Sequence, residues 1–204
     1  MKYKVIIFDL GGVTLKFDHH ISADKIALRF GLDRDYVYNL FFDSKLTNLF
    51  DEGNIAPHEF YMKAKKLLDI DISLKELKDC YNDIFSPMPG IEKIIKNLKR
   101  RYKVYLMSNT NKSHFDFIRK KFGIIKEFDK LILSYKVGAR KPDPIIYRYA
   151  LKLAGTTPDK VIFIDDRPEL IKGARAVGIT GIVFKDLSGL KKALKKTLFD
   201  KNFS

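Results

Sequence analysis

Each of four short apolar segments in this chain leads into polar side chains that could take part in catalysis. They are Asp9 after the first segment, Ser108-Asn109 after the second, Lys141 in the loop after the third, and Asp165-Asp166 after the fourth. Carboxylates suit Mg²⁺, a hard ion that takes oxygen ligands, whereas a hydroxyl, backbone N–H groups and a lysine suit phosphate oxygens. The set is typical of phosphoryl transfer, in which the protein positions the group and neutralises its charge during in-line attack.

Each of these residues also has an ordinary structural explanation. Asp9 could cap a turn, Ser108-Asn109 could begin a helix, and Lys141 could be a surface lysine. Asp165-Asp166 is the hardest to explain in this way, because adjacent carboxylates at a buried strand end need a cation or a proton between them.

The apolar segments predict a parallel sheet that would bring these residues together. Runs at 4–8, 104–107, 131–133 and 161–164, with a fifth at 182–184, have the length and composition of buried strands. Helical patterns separate them, with Asp143-Pro144 as a helix start and Ser188 as the expected cap of the last helix. Alternating strands and helices indicate an α/β fold with a doubly wound parallel sheet, and ligands bind at the carboxyl ends of such strands.

Residues 17–87 differ from the rest of the chain. They contain no convincing strand, and helical patterns appear near 22–30, 35–42, 57–68 and 73–85, with phenylalanines 41, 42, 50 and 60 as the expected core. Their net charge is −4, whereas the remaining residues carry a net charge of +18, and together these give the total of +14. We therefore expect a small helical domain at 17–87, inserted into a core of 1–16 and 88–204.

Composition bounds the setting and the partners. Cys80 is the single cysteine, so no intramolecular disulfide forms, and no apolar run approaches the roughly 18 residues that span a bilayer. With no secretory signal in view, a cytoplasmic protein is expected, without membrane contact and as a monomer or weak homodimer. The basic charge is explained first by a lysine-rich surface, next by steering of an anionic substrate, and last by nucleic-acid binding, for which no motif is present.

The motifs taken in order resemble the haloacid dehalogenase (HAD) superfamily across nearly the whole chain. The matching segments are Phe8-Asp9-Leu10-Gly11-Gly12-Val13, Leu106-Met107-Ser108-Asn109, Arg140-Lys141-Pro142-Asp143-Pro144, and Ile164-Asp165-Asp166 with the glycines that follow it. The resemblance implies a HAD-like Rossmannoid core with a small α-helical cap inserted after the first strand. Within the superfamily, the glucose-1-phosphate phosphatase branch shares Ser108-Asn109-Thr110-Asn111 and the double aspartate.

The resemblance also implies roles. Asp9 would attack phosphorus and form a phosphoaspartate, and Mg²⁺ would be held by Asp9, the Gly11 carbonyl and Asp166, with Asp165 beside them. Ser108, Asn109 and Lys141 would bind the phosphoryl group, and Lys141 would also tie Asp9 to Asp165. Glu52, in a segment that resembles the specificity loop of the family, would contact the substrate, and Glu169 would orient a metal-bound water.

Gly11 departs from the usual family pattern, which has a second aspartate two residues after the nucleophile as general acid and base. General acid–base catalysis contributes roughly 10²–10⁴-fold, so its absence matters. The glucose-1-phosphate branch also has glycine at this position, and a sugar anomeric leaving group needs less protonation. Asp18 and His19, near the start of the insert, are candidates to replace the missing group.

These features leave three functions open. The first is a Mg²⁺-dependent phosphatase of a small phosphorylated metabolite, such as the sugar phosphate glucose 1-phosphate. The second is a metal-independent haloacid dehalogenase, although such a site would gain nothing from Asp165-Asp166. The third is a non-catalytic binding or regulatory protein, suggested by Gly11 alone.

Overall fold

The computed structural model describes residues 2–199, and seven strands and eleven α-helices form this part of the chain. The strands are β1 (Val5–Phe8), β2 (Leu15–Phe17), β3 (Phe85–Pro87), β4 (Lys103–Ser108), β5 (Lys130–Leu133), β6 (Val161–Asp165) and β7 (Thr180–Val183). The helices are α1 (His19–Phe30), α2 (Arg34–Phe42), α3 (Lys45–Asp51), α4 (Pro57–Leu68), α5 (Leu74–Asn82), α6 (Ile91–Lys99), α7 (Lys112–Lys121), α8 (Ser134–Val137), α9 (Pro144–Ala154), α10 (Pro168–Ala176) and α11 (Leu187–Phe199). Two short 3₁₀ helices cover Gly123–Glu127 and Pro158–Lys160.

Five of the strands form one parallel sheet in the order β5-β4-β1-β6-β7. The strand β1 lies at its centre, and Phe8 at its end is level with Leu106 of β4 and Ile164 of β6. Helices cover both faces, because the alternate residues of β1 enter two separate hydrophobic clusters, Phe8 in one and Ile7 in the other. The predicted doubly wound α/β fold is confirmed.

Helices α1–α5 lie between β2 and β3, which pair as a short antiparallel ribbon beside the main sheet. These helices enclose a hydrophobic cluster of their own, in which Phe41, Phe50 and Phe60 are almost fully buried. The ribbon carries the chain out of the main sheet and back into it, so both ends of the helical insert leave from the same place.

Helix boundaries follow local capping chemistry, which explains both the agreements and the corrections. Asp143 caps α9 as predicted, and Ser73 forms a capping box with Glu76 at the start of α5. Ser188 is not the cap of α11, because Asp186 accepts a hydrogen bond from the Gly189 N–H at 2.7 Å and takes that position. The helix α3 was missed, since its seven residues are too few to show a clear period.

Two remaining observations concern the ends of elements. The chain leaves α7 at Phe122 in an extended conformation, and Gly123 begins a 3₁₀ turn. An expected fraying after Leu198 falls largely outside the described residues. Within residues 2–199, no helix combines the length and the apolar character required to cross a membrane.

Candidate active site

The candidate nucleophile lies where the central strand ends. Asp9 follows β1 directly and is only 7% exposed. Its backbone is fixed on two sides, since the Asp9 N–H donates to the Ile164 carbonyl at 2.9 Å and the Thr14 hydroxyl donates to the Asp9 carbonyl at 2.6 Å. The side chain is therefore held at the carboxyl edge of the sheet, where the neighbouring strands β4 and β6 also end.

Lys141 joins two carboxylates of the site. Its ammonium nitrogen lies 2.6 Å from Asp9 Oδ1 and 2.6 Å from Asp165 Oδ2, and its side chain is 1% exposed. Asn109 fixes the backbone of this lysine, because its Oδ1 accepts from the Lys141 N–H at 2.7 Å and its Nδ2 donates to the Lys141 carbonyl at 2.8 Å. Charge-assisted hydrogen bonds of this kind are stronger than neutral ones, so the lysine has a single defined position.

Three carboxylates meet at this edge. Oxygen atoms of Asp9, Asp165 and Asp166 lie within 4.8 Å of one another. Asp165 uses both oxygens within the protein, Oδ2 with Lys141 and Oδ1 with the Arg167 N–H at 2.9 Å. Gly12, at φ +78°, passes so close to Asp166 that a Cβ there would overlap its carboxylate. The loop after β1 thus leaves room for Asp166 to turn toward Asp9.

The charges of this cluster suit a divalent cation. Burial, together with the nearby Asp165, raises the pKa of Asp9 to about 7, even though Lys141 opposes the shift. Burial and Asp165 also raise the pKa of Asp166. For Lys141, burial opposes the charged form, but the two carboxylates outweigh it and raise its pKa. With all three carboxylates ionised, the cluster and the ammonium carry two net negative charges, which Mg²⁺ would neutralise, and Asp9, Gly11 and Asp166 are the residues of the predicted metal site that line the pocket.

Ser108 is the last residue of β4, Asn109 follows it, and both line the same pocket as Asp9 and Lys141. The Ser108 hydroxyl is buried, and its one hydrogen bond among the described residues is a long one of 3.3 Å to the Asn109 carbonyl. It is therefore available to donate to an anion bound in this pocket beside Asp9 and Lys141.

The other side of the pocket is built by the helical insert. The pocket has a volume of about 200 Å³, small for a binding site. Its walls on this side are Phe17, His19, Phe42, Thr47, Asp51, Tyr81 and Phe85, facing Asn111, His114 and Arg140 of the core. Phe42 was expected in the core of the insert, but it is only partly buried and its ring lies 4.0 Å from the His19 ring, centroid to centroid.

Asp51 is the acidic residue of the insert that reaches the pocket. Burial raises its pKa, and its carboxylate accepts from Asn111 Nδ2 at 3.1 Å and lies 3.6 Å from the Arg140 guanidinium. The backbone carbonyl of Asp51 accepts from the Ser134 hydroxyl at 2.6 Å, which fastens the end of α3 to the core. Glu52 points elsewhere: it accepts from Asn54 at 3.2 Å and lines a neighbouring groove.

The structure brings most of the predicted residues into this one pocket. Those that line it are Asp9, Gly11, Ser108, Asn109, Lys141 and Asp166, with Asp165 buried directly behind Lys141. Asp18 caps α1 by accepting from the His20 N–H, and Glu169 is paired with Arg167 at the surface, so neither lines the pocket. His19 does line it. Sequence reasoning missed Asp51, Asn111 and Arg140 as pocket residues, because their contacts join positions far apart in the chain.

Comparison with known proteins shows the family to which the chain belongs. The sequence model of the haloacid dehalogenase-like hydrolases matches residues 3–178. The chain belongs to this family. This HAD-like hydrolase is 28% identical over 184 residues to the D-ribitol-5-phosphate phosphatase of Bacteroides thetaiotaomicron, with 86% of this chain and 88% of the relative covered. It is 26% identical to the sesquiterpene phosphatase astK of Aspergillus oryzae, with 90% and 91% covered.

Solved structures agree with the fold. A HAD family enzyme of Bacteroides thetaiotaomicron, in complex with magnesium and inorganic phosphate, superposes with a TM-score of 0.81 at 27% identity, covering 92% of this chain and 98% of that one. The L-2-haloacid dehalogenase of Xanthobacter autotrophicus superposes with a TM-score of 0.66 at 18% identity, covering 97% and 84%. At that identity the dehalogenase is informative about the fold alone.

Proposed function

We propose that this HAD-like hydrolase is a Mg²⁺-dependent phosphatase of a small sugar or polyol phosphate, and that it forms a phosphoaspartate on Asp9. The observation that carries the proposal is the arrangement of Asp9, Asp165 and Asp166 around the buried ammonium of Lys141. Such a cluster can hold a metal ion and a phosphoryl group on either side of one nucleophilic oxygen.

The chain's own groups would divide the work as follows. Asp9 supplies the attacking carboxylate oxygen, and Lys141 favours its ionised form and balances charge on the phosphoryl oxygens. Ser108 and the Asn109 N–H donate to those oxygens. Bound Mg²⁺ would supply further charge neutralisation and bring the pKa of Asp9 down from its raised value. In the second step water attacks the phosphoaspartate, phosphate leaves, and the Asp9 carboxylate is restored.

The substrate class rests on two further observations. A pocket of about 200 Å³ suits a small leaving group, and the polar side chains of Thr47, Asp51 and Asn111 line it. Among the relatives, one carries the name D-ribitol-5-phosphate phosphatase and another, from Thermotoga maritima, the name phosphorylated carbohydrates phosphatase. Glucose 1-phosphate is a candidate of this class.

Phosphate release from a panel of phosphorylated metabolites, with Mg²⁺ and with excess chelator, tests this proposal. We expect turnover that requires Mg²⁺ and that is fastest with a sugar or polyol phosphate. Full activity in excess chelator, on a 2-haloacid or on any phosphate ester, would reject the metal-dependent mechanism. The absence of turnover on the whole panel and on aryl phosphates would favour a non-catalytic protein.

We further propose that residues 17–87 act as a cap that selects the leaving group, with Asp51 rather than Glu52 as its acidic contact. Asp51→Asn keeps the size of the side chain and its place beside Asn111, but removes the charge. It should change the ratio of kcat/KM values between sugar phosphates by about tenfold or more, as a lost charged hydrogen bond does. Glu52→Gln is the matched control, and a larger change in Glu52→Gln than in Asp51→Asn would reverse the assignment.

A further inference from the structure

The space beside Gly11, where the usual second aspartate of the family would stand, is filled by an aromatic ring. A Cβ placed on Gly11 would lie 2.8 Å and 2.9 Å from the Cε1 and Cδ1 atoms of Phe17. Residues 10–14 of this loop carry no carboxylate, and the Phe17 ring occupies the space that a side chain at Gly11 would need.

His19 is the residue that lies next along this wall of the pocket. Its ring centroid is 4.9 Å from that of Phe17, and its other side stacks on Phe42 at 4.0 Å with an interplanar angle of 5°. Two carbon rings thus fix the orientation of the imidazole. His19 lines the same pocket as Asp9 and Gly11, so the imidazole and the candidate nucleophile share one cavity.

Other histidines near the pocket are already engaged, whereas the His19 ring is not. Both ring nitrogens of His114 have partners, at 3.3 Å from Asn111 Nδ2 and 3.1 Å from the Tyr81 carbonyl. His20 stacks on Tyr38 and does not line the pocket. Among residues 2–199, neither ring nitrogen of His19 makes a hydrogen bond, which leaves both available to water.

Burial also sets the protonation state of this imidazole. It lowers the pKa of His19 to about 4, with Asp18 opposing the shift and His20 adding to it. The remaining polar ring packed against it is Tyr38 of α2, at 6.2 Å. His19 is therefore neutral at neutral pH, and a neutral imidazole can accept a proton.

We propose that His19 is the general base of the second half-reaction, and that it replaces the family aspartate for which Gly11 leaves no side chain. This inference rests on the proposed phosphatase function. A water molecule loses a proton to a His19 ring nitrogen while its oxygen forms a bond to phosphorus. The bond between phosphorus and the Asp9 oxygen breaks, its electron pair returns to the carboxylate, and the imidazolium later releases the proton to solvent.

A general base at His19 would speed hydrolysis of the phosphoenzyme but not its formation. A neutral imidazole has no proton to give when the ester bond of the substrate breaks, so formation of the phosphoenzyme does not depend on His19. Loss of the base slows only the attack of water. Since kcat/KM covers the steps up to release of the alcohol, it should stay constant while kcat falls.

Rapid-quench kinetics on 4-nitrophenyl phosphate with Mg²⁺ test this directly. His19→Phe keeps the ring between Phe17 and Phe42 but has no nitrogen, and His19→Gln covers the case in which the phenylalanine variant fails to fold. We expect hydrolysis of the phosphoenzyme to slow by roughly 10²-fold in both variants, with kcat/KM within threefold of the natural value and most of the enzyme trapped as phosphoenzyme. His20→Gln, the neighbouring histidine outside the pocket, should behave like the natural protein.

Two results would overturn the role of His19. One is an unchanged rate of phosphoenzyme hydrolysis in the variants. The other is an equal fall of kcat and kcat/KM without accumulation of phosphoenzyme, which a purely structural role of the ring would produce. A failure of the proposed function itself is distinct from both, because the natural protein would then form no phosphoenzyme on Asp9 at all.

Discussion

The ammonium of Lys141 lies 2.6 Å from Asp9 Oδ1, and both groups are buried at the carboxyl edge of the central strand. This contact links the candidate nucleophile to the one positive charge of the carboxylate cluster. Because burial raises the pKa of Asp9, the lysine is the main group within the protein that favours its ionised form.

Lys141→Met should therefore remove activity while preserving much of the packing volume. We expect kcat to fall by roughly 10²–10³-fold, the usual cost of losing a group that stabilises transition-state charge. Steady-state kinetics at saturating Mg²⁺ provide the measurement, and a surface control is available in Lys136→Met, since Lys136 is exposed on α8. A loss below tenfold in Lys141→Met would mean that the lysine is structural.

Gly12 gives a prediction about metal affinity. Its positive φ strains any other residue, and a side chain would also overlap the carboxylate of Asp166. Gly12→Ala should raise the Mg²⁺ concentration for half-maximal activity by roughly 10–100-fold, as other disturbances around metal ligands do. Gly31 also has a positive φ, +64°, but an added Cβ there would have no neighbour within 4 Å. Gly31→Ala is therefore the matched control, and it should lower stability without changing the Mg²⁺ requirement. Equal Mg²⁺ requirements in the two variants would contradict the assignment of Asp166.

His114 predicts a dependence of stability on pH. Burial lowers its pKa to about 3 from an ordinary value of 6.5. Between these values the unfolded chain binds more protons at this site than the folded one, so stability falls as pH drops below 6.5. Because of this site, the free energy of unfolding should be about 2 kcal/mol lower at pH 5 than at pH 7.5.

Urea unfolding at pH 7.5 and pH 5 measures this effect as a difference between proteins. Between pH 7.5 and pH 5, the free energy of unfolding of the natural protein should fall by about 2 kcal/mol more than that of His114→Leu, in which this site no longer titrates. Other titrating groups are common to both and cancel. His58→Gln, which removes an exposed histidine, should match the natural protein. Identical pH dependence in the natural protein and His114→Leu would refute the buried neutral histidine.

Gly11 gives a prediction about leaving groups. With no acid at this position, esters of acidic alcohols should be cleaved well and primary alkyl phosphates poorly. The backbone at Gly11 is outside the left-handed region, so the obstacle to an aspartate there is the ring of Phe17. Gly11→Asp with Phe17→Ala should therefore raise kcat/KM on alkyl phosphates by about tenfold or more, and Phe17→Ala alone is the control. A flat dependence of kcat/KM on leaving-group pKa in the natural protein would contradict this account.

The sheet and its catalytic edge could be predicted because their signals are local. Runs such as 161–164 are continuously apolar and end in charged residues, and a parallel sheet places such ends on one side. The register between β1 and β6 places Asp9 beside Asp165. Composition does not predict this register, but the family resemblance of the motifs implies it.

The wall of the pocket could not be predicted in the same way. Asp51 and Asn111 are 60 positions apart, and no periodicity connects them. Whether Asp51 or Glu52 faces the pocket depends on how α3 ends, and α3 itself gave no clear pattern. The position of Phe17 beside Gly11 depends on the pairing of two three-residue strands, β2 and β3, which are too short to recognise from composition.

The central claim is that Asp9 carries the phosphoryl group, and acid quenching during turnover tests it most directly. After reaction with an aryl phosphate and Mg²⁺, digestion and mass spectrometry should find phosphate on the peptide that contains Asp9. Asp9→Asn, which keeps the shape of the side chain, should show neither phosphate on that peptide nor turnover. Turnover retained in Asp9→Asn, or a phosphate found on another residue, would contradict the account.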